Sequence, residues 1–201
     1  MAPLLETTRL ALRRLSEDDA PFMLELLNEP SFIRNIGDRG VRTIDEARDY
    51  IARGPMASYA RFGFGLYLVE LMEPRTAVGI CGILKRDELP EPDIGFAFLP
   101  AYWSTGYARE AAEAVKLYAR DTLAVPRLLA IVSPSNDSSI RLLEKLGFTF
   151  TTVMRLTPEA DDVRLYACAF FIDIHSNAPT AHHQGHEAHE DHKEGKANSS
   201  S

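Results

Sequence analysis

Residues 93–112 read DIGFAFLPAYWSTGYAREAA, and this stretch decides the fold. It begins as an apolar run, breaks at Pro100 and passes through a short turn that contains Gly106. From Ala108 onward, alanines recur at helical spacing opposite charged residues, which predicts an amphipathic helix. A strand, a turn of small residues and a helix start aim unpaired backbone N–H groups at one point. The stretch therefore suits a phosphate group, with an ordinary tight turn as the alternative.

The composition limits the class of protein. The chain has 201 residues, 45% hydrophobic and 25% charged, which is ordinary for one globular domain. No apolar run approaches the roughly 20 residues of a membrane helix, and the first residues lack the layout of a secretory signal. We therefore expect a cytoplasmic location and no membrane partner. The net charge of -7 argues against nucleic acid as a partner.

The two cysteines, Cys81 and Cys168, lie far apart, and each sits within an apolar segment. Neither has a second cysteine at the spacing of a metal-binding pair. Free, buried thiols are therefore expected rather than a disulfide.

Hydrophobic periodicity predicts a mixed α/β (α+β) sheet with helices on both faces. Helices are expected to begin near Ser16, Thr43, Gly106 and Asn136, with a further helical turn at 56–60 after an interruption at Gly54-Pro55. Residues 31–42 are expected to form a polar connection. Seven strands are predicted, at residues 10–15, 64–71, 77–84, 93–99, 127–132, 148–156 and 163–172.

The C-terminal segment, residues 175–201, has almost no large apolar side chains and contains all six histidines. It is expected to be a disordered tail that follows a domain at residues 1–174. Weak, adventitious metal binding by the tail is plausible, and a dedicated metal-binding role is an alternative. No metal is expected to be required by the domain.

Several motifs occur in an order that resembles the GNAT superfamily of acyl-CoA-dependent N-acetyltransferases, and more narrowly its RimJ/RimL-type branch. They are ETTRLALRRLSEDDA at 6–20, IRNIGDRGVRTIDEA at 33–47, and the stretch from Asp93 paired with SNDSSIRLLEKLGF at 135–148. The resemblance covers residues 6–172. It implies a mostly antiparallel sheet of about six to seven strands, splayed in the middle and flanked by about four helices.

The resemblance also implies acetyl-CoA as the co-substrate. The splayed strands at 93–99 and 127–132 would hold pantetheine beside Phe98 and Leu99. A backbone N–H near Leu99 would bind the oxyanion. Asn136 and Ser139 match positions that commonly contact CoA. The pyrophosphate would be wrapped by Trp103, Ser104, Thr105, Gly106, Tyr107 and Ala108.

Two positions depart from the pattern of similar proteins. Thr105 stands where a basic residue is frequent, so weaker and more backbone-dependent binding of the phosphates is expected. Leu143 stands where many relatives carry a tyrosine that protonates the departing thiolate. Leucine cannot donate a proton, so that role is vacant or is filled from elsewhere.

Acetylation of an amine needs a group that removes a proton. No histidine precedes residue 175, so an imidazole base within the domain is excluded, and carboxylates acting directly or through water remain. Asp93 is the candidate base because relatives often carry a glutamate there; a solvated residue at a strand start is the alternative. Ser139 is the candidate acid, with capping of the helix as its alternative.

The acceptor would meet a second set of side chains. Arg34, Asn35 and Arg39 are candidates to bind its carboxylate or peptide carbonyls, with a solvated surface as the alternative. Tyr166 is a further candidate, with packing in the core as its alternative.

The predicted function is transfer of acetyl from acetyl-CoA to a primary amine by direct attack in a ternary complex. The acceptor would be a protein N-terminal α-amine or a small amine. A non-catalytic acyl-CoA-binding module is the alternative, supported by Leu143 and by the absence of histidine from the domain. An exposed final strand would also allow a homodimer.

Overall fold

The computed structural model describes residues 2–170, which form one sheet of eight strands with helices on both faces. In chain order the strands are β1 (Leu5–Glu6), β2 (Leu10–Arg14), β3 (Leu66–Leu71), β4 (Ala77–Leu84), β5 (Asp93–Phe98), β6 (Arg127–Val132), β7 (Thr149–Met154) and β8 (Val163–Ala169). They lie in the order β1-β2-β3-β4-β5-β6-β8-β7. The one parallel pair among them is β5 with β6. The mixed, mostly antiparallel sheet is confirmed.

All seven predicted strands are present, and an eighth, β1, is new. It has two residues and pairs Leu5 with Leu12 of β2. Two residues are too few to show the alternation that identifies a strand in sequence. The last strand ends at Ala169 instead of residue 172, and the predicted tail lies outside the described residues.

Six helices occur within residues 2–170, two more than the expected four. They are α1 (Ala20–Asn28), α2 (Pro30–Ile36), α3 (Ile44–Ile51), α4 (Ala57–Phe62), α5 (Tyr107–Asp121) and α6 (Asp137–Lys145). Thr43 and Glu46 form the predicted capping box of α3. Asn136 caps α6 through a bond from the Ser139 N–H.

Two sequence expectations about helices were wrong. The segment after Asn28 was expected to be a polar connection, but Pro30 occupies the first turn of α2, where its missing N–H costs nothing. Gly54-Pro55 was expected to interrupt the chain after α3. Instead, residues 52–56 continue as a wide helical turn, and the Ala57 N–H donates to the Ala52 carbonyl five residues back. Such turns often accompany functional sites.

Alternation along the strands builds two cores, one on each face of the sheet. Leu68 and Ile80 pack in the cluster that includes Met23 of α1 and Ile51 of α3. Side chains from the other face pack with Ala112 of α5 and with α6. The sheet is thus a buried middle layer, and a ligand reaches it only where strands separate.

The strands β5 and β6 separate in the middle of this sheet. Their pairing is confined to Asp93 opposite Leu129, where the Leu129 N–H donates to the Pro92 carbonyl at 2.9 Å. Beyond this point the strands run apart toward the start of α5. The predicted splay between the two strands is present.

The final strand is not at the edge of the sheet, contrary to the expectation behind the homodimer. β8 lies between β6 and β7, so β7 forms that edge and exposes Phe150 and Val153. A homodimer therefore stays a prediction. None of the helices in the described part of the chain is long and apolar enough to cross a membrane.

Candidate active site

A groove of about 460 Å³ passes through the gap between β5 and β6. On the face covered by α1 and α3 it is lined by Asn35, Arg39 and Asp93. On the opposite face it is lined by Asn136 and Ser139 of α6. Residues that are far apart in the sequence therefore meet where the sheet opens.

The turn before α5 has the geometry of an anion cradle. Gly106, with φ +87°, is the N-cap of the helix, and the exposed Ser104 also has a positive φ of 62°. The first N–H groups of a helix lack partners within it. No other acceptor within residues 2–170 receives the N–H groups of Gly106, Tyr107 or Ala108. The loop therefore fits a pyrophosphate held by main-chain donors at the positive end of a helix.

Two side chains of this loop stabilise the turn and leave its backbone exposed. The Trp103 indole N–H donates to the Phe98 carbonyl at 2.8 Å, and the Thr105 hydroxyl donates to the Tyr102 carbonyl at 2.7 Å. Each bond joins the loop to the end of β5 or to the turn after it. Their bonds thus assign Trp103 and Thr105 to shaping the cradle.

Sequence reasoning did not single out Arg9, a cation that lies beside the cradle. Its guanidinium donates to the Thr105 carbonyl at 3.0 Å and lies 4.6 Å from the Tyr107 ring centre. It also pairs with Glu110 at 2.6 Å, and Glu110 accepts from the Thr7 hydroxyl at 2.6 Å. Burial raises the pKa of Glu110, but these hydrogen bonds outweigh burial and lower it overall. Arg9, itself paired with Glu110, thus places a cation beside the loop that lacks a basic residue at Thr105, from a part of the chain that no motif joins to the loop.

The free edge of β5 carries the donors that a thioester would meet. The Leu99 N–H, expected to bind the oxyanion, already donates to the Val78 carbonyl of the β4 side at 3.0 Å. The expected donor near Leu99 is therefore not the N–H of Leu99 itself, and the oxyanion donor stays a prediction. Because successive backbone groups alternate in direction along a strand, Phe96 and Phe98 point theirs toward the gap. The Phe98 N–H is thus the candidate oxyanion donor.

Asp93 lies at the point where the two strands part. It is 1% exposed, so the alternative of a solvated residue does not hold. Its two carboxylate oxygens accept from Arg86 Nε at 3.0 and 3.1 Å. Burial raises the pKa of Asp93 above its ordinary value, although the Arg86 charge opposes the shift. A carboxyl group with a raised pKa is a better proton acceptor than an exposed one.

Asn136, the N-cap of α6, and Ser139 in its first turn differ in their hydrogen bonds. Asn136 Oδ1 accepts from the Ser139 N–H at 3.1 Å, so the side chain of Asn136 caps the helix. The Ser139 hydroxyl has no hydrogen-bond partner within residues 2–170 and lines the groove. Leu143, at the position of the missing tyrosine, is buried and also lines the groove.

The predicted acceptor residues do not all meet at the groove. Asn35 and Arg39 line it, but Arg34 is exposed on α2 and lines neither this groove nor the cavity next to it. Tyr166 is 1% exposed in the core, where its ring meets Phe150 edge-on at 5.8 Å. Its position favours the packing alternative.

Two further groove residues, Tyr50 and Arg86, were not predicted from the sequence. Tyr50 shares α3 with the capping box, and Arg86 follows β4. Nothing in their local sequence separates them from ordinary surface residues. Within residues 2–170, no group of three or more His, Cys, Asp or Glu side chains is placed to hold a metal ion. The histidine-rich segment lies outside those residues.

Comparisons with known proteins give the family and the fold of this chain. An uncharacterized N-acetyltransferase of Bacillus subtilis, YoaA, is 28% identical over 157 residues, which cover 77% of this chain and 88% of that protein. The crystal structure of an acetyltransferase from Agrobacterium tumefaciens superposes with a TM-score of 0.69 at 28% identity, covering 85% of this chain and 96% of the other.

A RimL ribosomal-protein α-N-acetyltransferase, solved with coenzyme A, superposes with a TM-score of 0.70 and covers 83% of this chain and 97% of its own. It is 19% identical, so it supports the fold alone. Residues 9–149 match the acetyltransferase (GNAT) domain family, which spans both the phosphate cradle and α6. This chain belongs to that family.

Proposed function

We propose that the protein is an N-acetyltransferase that moves acetyl from acetyl-CoA to a primary amine by direct attack in a ternary complex. The observation that carries the proposal is the gap between β5 and β6. It gives the groove one free strand edge, a phosphate cradle at one end and a buried carboxyl group, Asp93, at the other.

Binding of acetyl-CoA would use main-chain groups at each stage. The cradle before α5 would hold the pyrophosphate with its free N–H groups, and Arg9 would add positive charge. Pantetheine would lie along the free edge of β5. Ser139 would contact the thiol end from α6. This use of backbone donors suits a loop that lacks a basic side chain at Thr105.

The chemical step follows from the same positions. The amine nitrogen attacks the thioester carbonyl carbon while Asp93 accepts a proton from it, directly or through a water molecule. The developing oxyanion is stabilised by the Phe98 N–H, whose loss by analogy would cost about 10²-fold in rate. The carbon–nitrogen bond forms first, and the carbon–sulfur bond breaks when the tetrahedral intermediate collapses. The departing thiolate takes a proton from the Ser139 hydroxyl, which regains one from the proton that the amine has released through water. Leu143 cannot supply a proton.

The acceptor is a protein N-terminal α-amine, as the RimJ/RimL-type motifs suggest, or a small amine. Asn35 and Arg39 line the side from which it would enter. A cytoplasmic location stays a prediction.

The test measures release of free CoA thiol when the protein is mixed with acetyl-CoA and a library of amines and N-terminal peptides. Release that depends on an added amine, with the acetylated amine identified by mass, supports the proposal. Saturable CoA binding without release for any acceptor favours the alternative of a non-catalytic acyl-CoA-binding module. Protein without acetyl-CoA is the blank, since Cys168 is partly exposed and can react with the thiol reagent.

A further inference from the structure

A second cavity of about 700 Å³ adjoins the groove on the acceptor side of the sheet. The two spaces share Arg39, Tyr50, Leu66 and Leu84 as walls. The second cavity continues along α3, the wide helical turn and α4. An amine that reaches Asp93 from this side therefore contacts the residues that line these two spaces. Those residues determine which amines are accepted.

The groove and the second cavity together form one open chamber, and every acidic side chain that lines it is already paired or hydrogen-bonded. Asp93 is paired with Arg86 at 3.0 Å, and Asp49 is paired with Arg53 at 3.2 Å. Glu46 accepts the backbone N–H groups of Arg42 and Thr43, at 2.7 and 2.9 Å, as part of the helix cap. The chamber thus has no free carboxylate to offer an incoming cation.

Three cations of the same chamber have no carboxylate partner within residues 2–170. Lys85 donates to the Leu89 carbonyl at 2.9 Å, and Arg61 lies 4.7 Å from the Phe62 ring centre. Arg39 has neither an ion pair nor a hydrogen bond among the described residues. This local excess of positive charge runs against the chain's net charge of -7. Such a cluster attracts anions.

The walls beside Arg39 are apolar and aromatic. Tyr50 and Leu66 lie between the two spaces, and Phe32 and Ile36 of α2 extend the apolar surface. Arg39 and Arg86 line the groove together with Tyr50. Burial raises the pKa of the Tyr50 hydroxyl, and the charges of the two arginines oppose that shift. The unpaired guanidinium of Arg39 and the buried Asp93 therefore serve one chamber.

We propose that the acceptor is a small amine that also carries a carboxylate, with Arg39 as the residue that binds the carboxylate. This proposal rests on the acetyltransferase function proposed above. Arginine presents a planar fork that matches a carboxylate with two parallel hydrogen bonds. The apolar walls then contact the remainder of the molecule. A polyamine would instead place further positive charge beside Arg39, Arg61 and Lys85, where no free carboxylate balances it.

The test compares amines that differ only in the carboxylate. Leucine is paired with 3-methylbutylamine, phenylalanine with 2-phenylethylamine, and 4-aminobutyrate with propylamine; the other proteinogenic amino acids and spermidine complete the panel. We expect kcat/KM for the preferred amino acid to exceed that of its partner without carboxylate by at least about tenfold, which corresponds to about 1.4 kcal/mol. Phosphoethanolamine against ethanolamine tests whether phosphate replaces carboxylate.

The Arg39→Gln variant should bring the ratio within each pair close to one, mainly by raising KM for the carboxylate-bearing amine. Arg48→Gln is the matched control, since Arg48 is exposed on α3, pairs with Asp45 and lines neither space. It should keep the ratio of the unaltered protein. Preference for spermidine, for phosphoethanolamine or for peptide N-termini, or an unchanged ratio in Arg39→Gln, would overturn the proposal. No thiol release with any amine would instead refute the proposed function.

Discussion

Gly106 is the single residue on which the phosphate cradle depends most directly. Its φ of +87° lies in the left-handed region, which side chains other than glycine adopt at a cost of about 1–2 kcal/mol. A Cβ there would lie 3.3 Å from Arg9 Nη2, and a larger side chain would take up space beside the cradle. We expect Gly106→Leu to abolish CoA binding, measured by calorimetry, without unfolding the domain.

Gly63 provides the matched control for this prediction. It ends α4 with φ +80°, and no atom lies within 4 Å of its missing Cβ. Gly63→Leu therefore imposes a similar backbone strain without touching the cradle, and its CoA affinity should stay that of the unaltered protein. Normal CoA binding by Gly106→Leu would show that the phosphate lies elsewhere.

Asp93 makes the activity depend on pH in a direction that its surroundings determine. Burial raises its pKa, while the charges of Arg86 and Lys85 oppose the shift. A protonated carboxyl group cannot accept a proton, so activity should fall as the pH is lowered. The midpoint of this fall should lie above about 3.9, the ordinary pKa of an aspartate. Arg86→Gln removes an opposing charge, so it should move this acidic limb to still higher pH. The measurement is the pH profile of kcat.

Replacing Asp93 itself should remove the fall in kcat at acidic pH. We expect Asp93→Asn to lower kcat by about 10²- to 10⁴-fold, the usual range for a general base. Asp87→Asn is the control because Asp87 is exposed in the same loop, and its profile should be unaltered. An acidic limb that persists in Asp93→Asn would assign the base to another group.

At the scale of elements, Arg9 joins the turn between β1 and β2 to the start of α5. It contacts the Thr105 carbonyl, the Tyr107 ring and Glu110, all within the first turns of that helix or just before it. We expect Arg9→Gln to raise KM for acetyl-CoA by about tenfold, equivalent to about 1.4 kcal/mol, with kcat little changed. Initial rates at varied acetyl-CoA concentration separate the change in KM from the change in kcat.

A role in phosphate binding differs from a purely structural role in its response to charge. Arg9→Lys keeps the positive charge and should recover part of the affinity, and the salt dependence of KM should weaken in Arg9→Gln. Arg75→Gln is the control. Arg75 lies in the turn after β3, is about as exposed as Arg9 and is also paired with a carboxylate, since its Nη1 lies 3.7 Å from Glu70 Oε2. An equal rise of KM in both glutamine variants would contradict the assignment.

The elements that sequence reasoning predicted are those with long, regular patterns. Seven strands, the cap of α3 and the amphipathic α5 follow from periodicity and capping, which are local properties. α2 was missed because Pro30 both ends one helix and begins the next. The N–H of Leu99 points toward β4 and that of Phe98 toward the gap, and this direction depends on the register with β4, which no single strand encodes.

At the candidate site too, residues in local motifs were predicted and residues brought there by tertiary contacts were not. The cradle residues, Asn136 and Ser139 lie in contiguous motifs and were predicted. Arg9, Tyr50 and Arg86 reach the site through strand pairing and helix packing between distant segments. Their positions are therefore a property of the assembled fold.

For the whole molecule, one ion-pair network joins the first strands to the first helix. Arg13 of β2 bonds Asp19, just before α1, at 2.7 Å and Glu70 of β3 at 2.9 Å. Burial raises the pKa of Asp19, but the hydrogen bonds from Arg13 and Ser16 outweigh burial, and the pKa is lowered overall. A carboxyl group whose pKa is lowered by folding stabilises the native state above its unfolded pKa. That stabilisation is lost as pH falls through the folded pKa.

Asp19 and Asp93 have pKa values shifted in opposite directions, so acid should remove activity before it removes the fold. Loss of activity follows the raised pKa of Asp93, whereas loss of stability follows the lowered pKa of Asp19 and needs a lower pH.

We expect Asp19→Asn to lower the free energy of unfolding at neutral pH by about 2 kcal/mol, because Arg13 loses a largely buried partner. Its stability should then fall less steeply below pH of about 4 than that of the unaltered protein. Urea unfolding across pH measures both effects. Asp45→Asn, which breaks an exposed pair with Arg48, should change the free energy by less than about 0.5 kcal/mol. Equal losses in the two variants would mean that the network of Arg13 contributes no more than an ordinary surface pair.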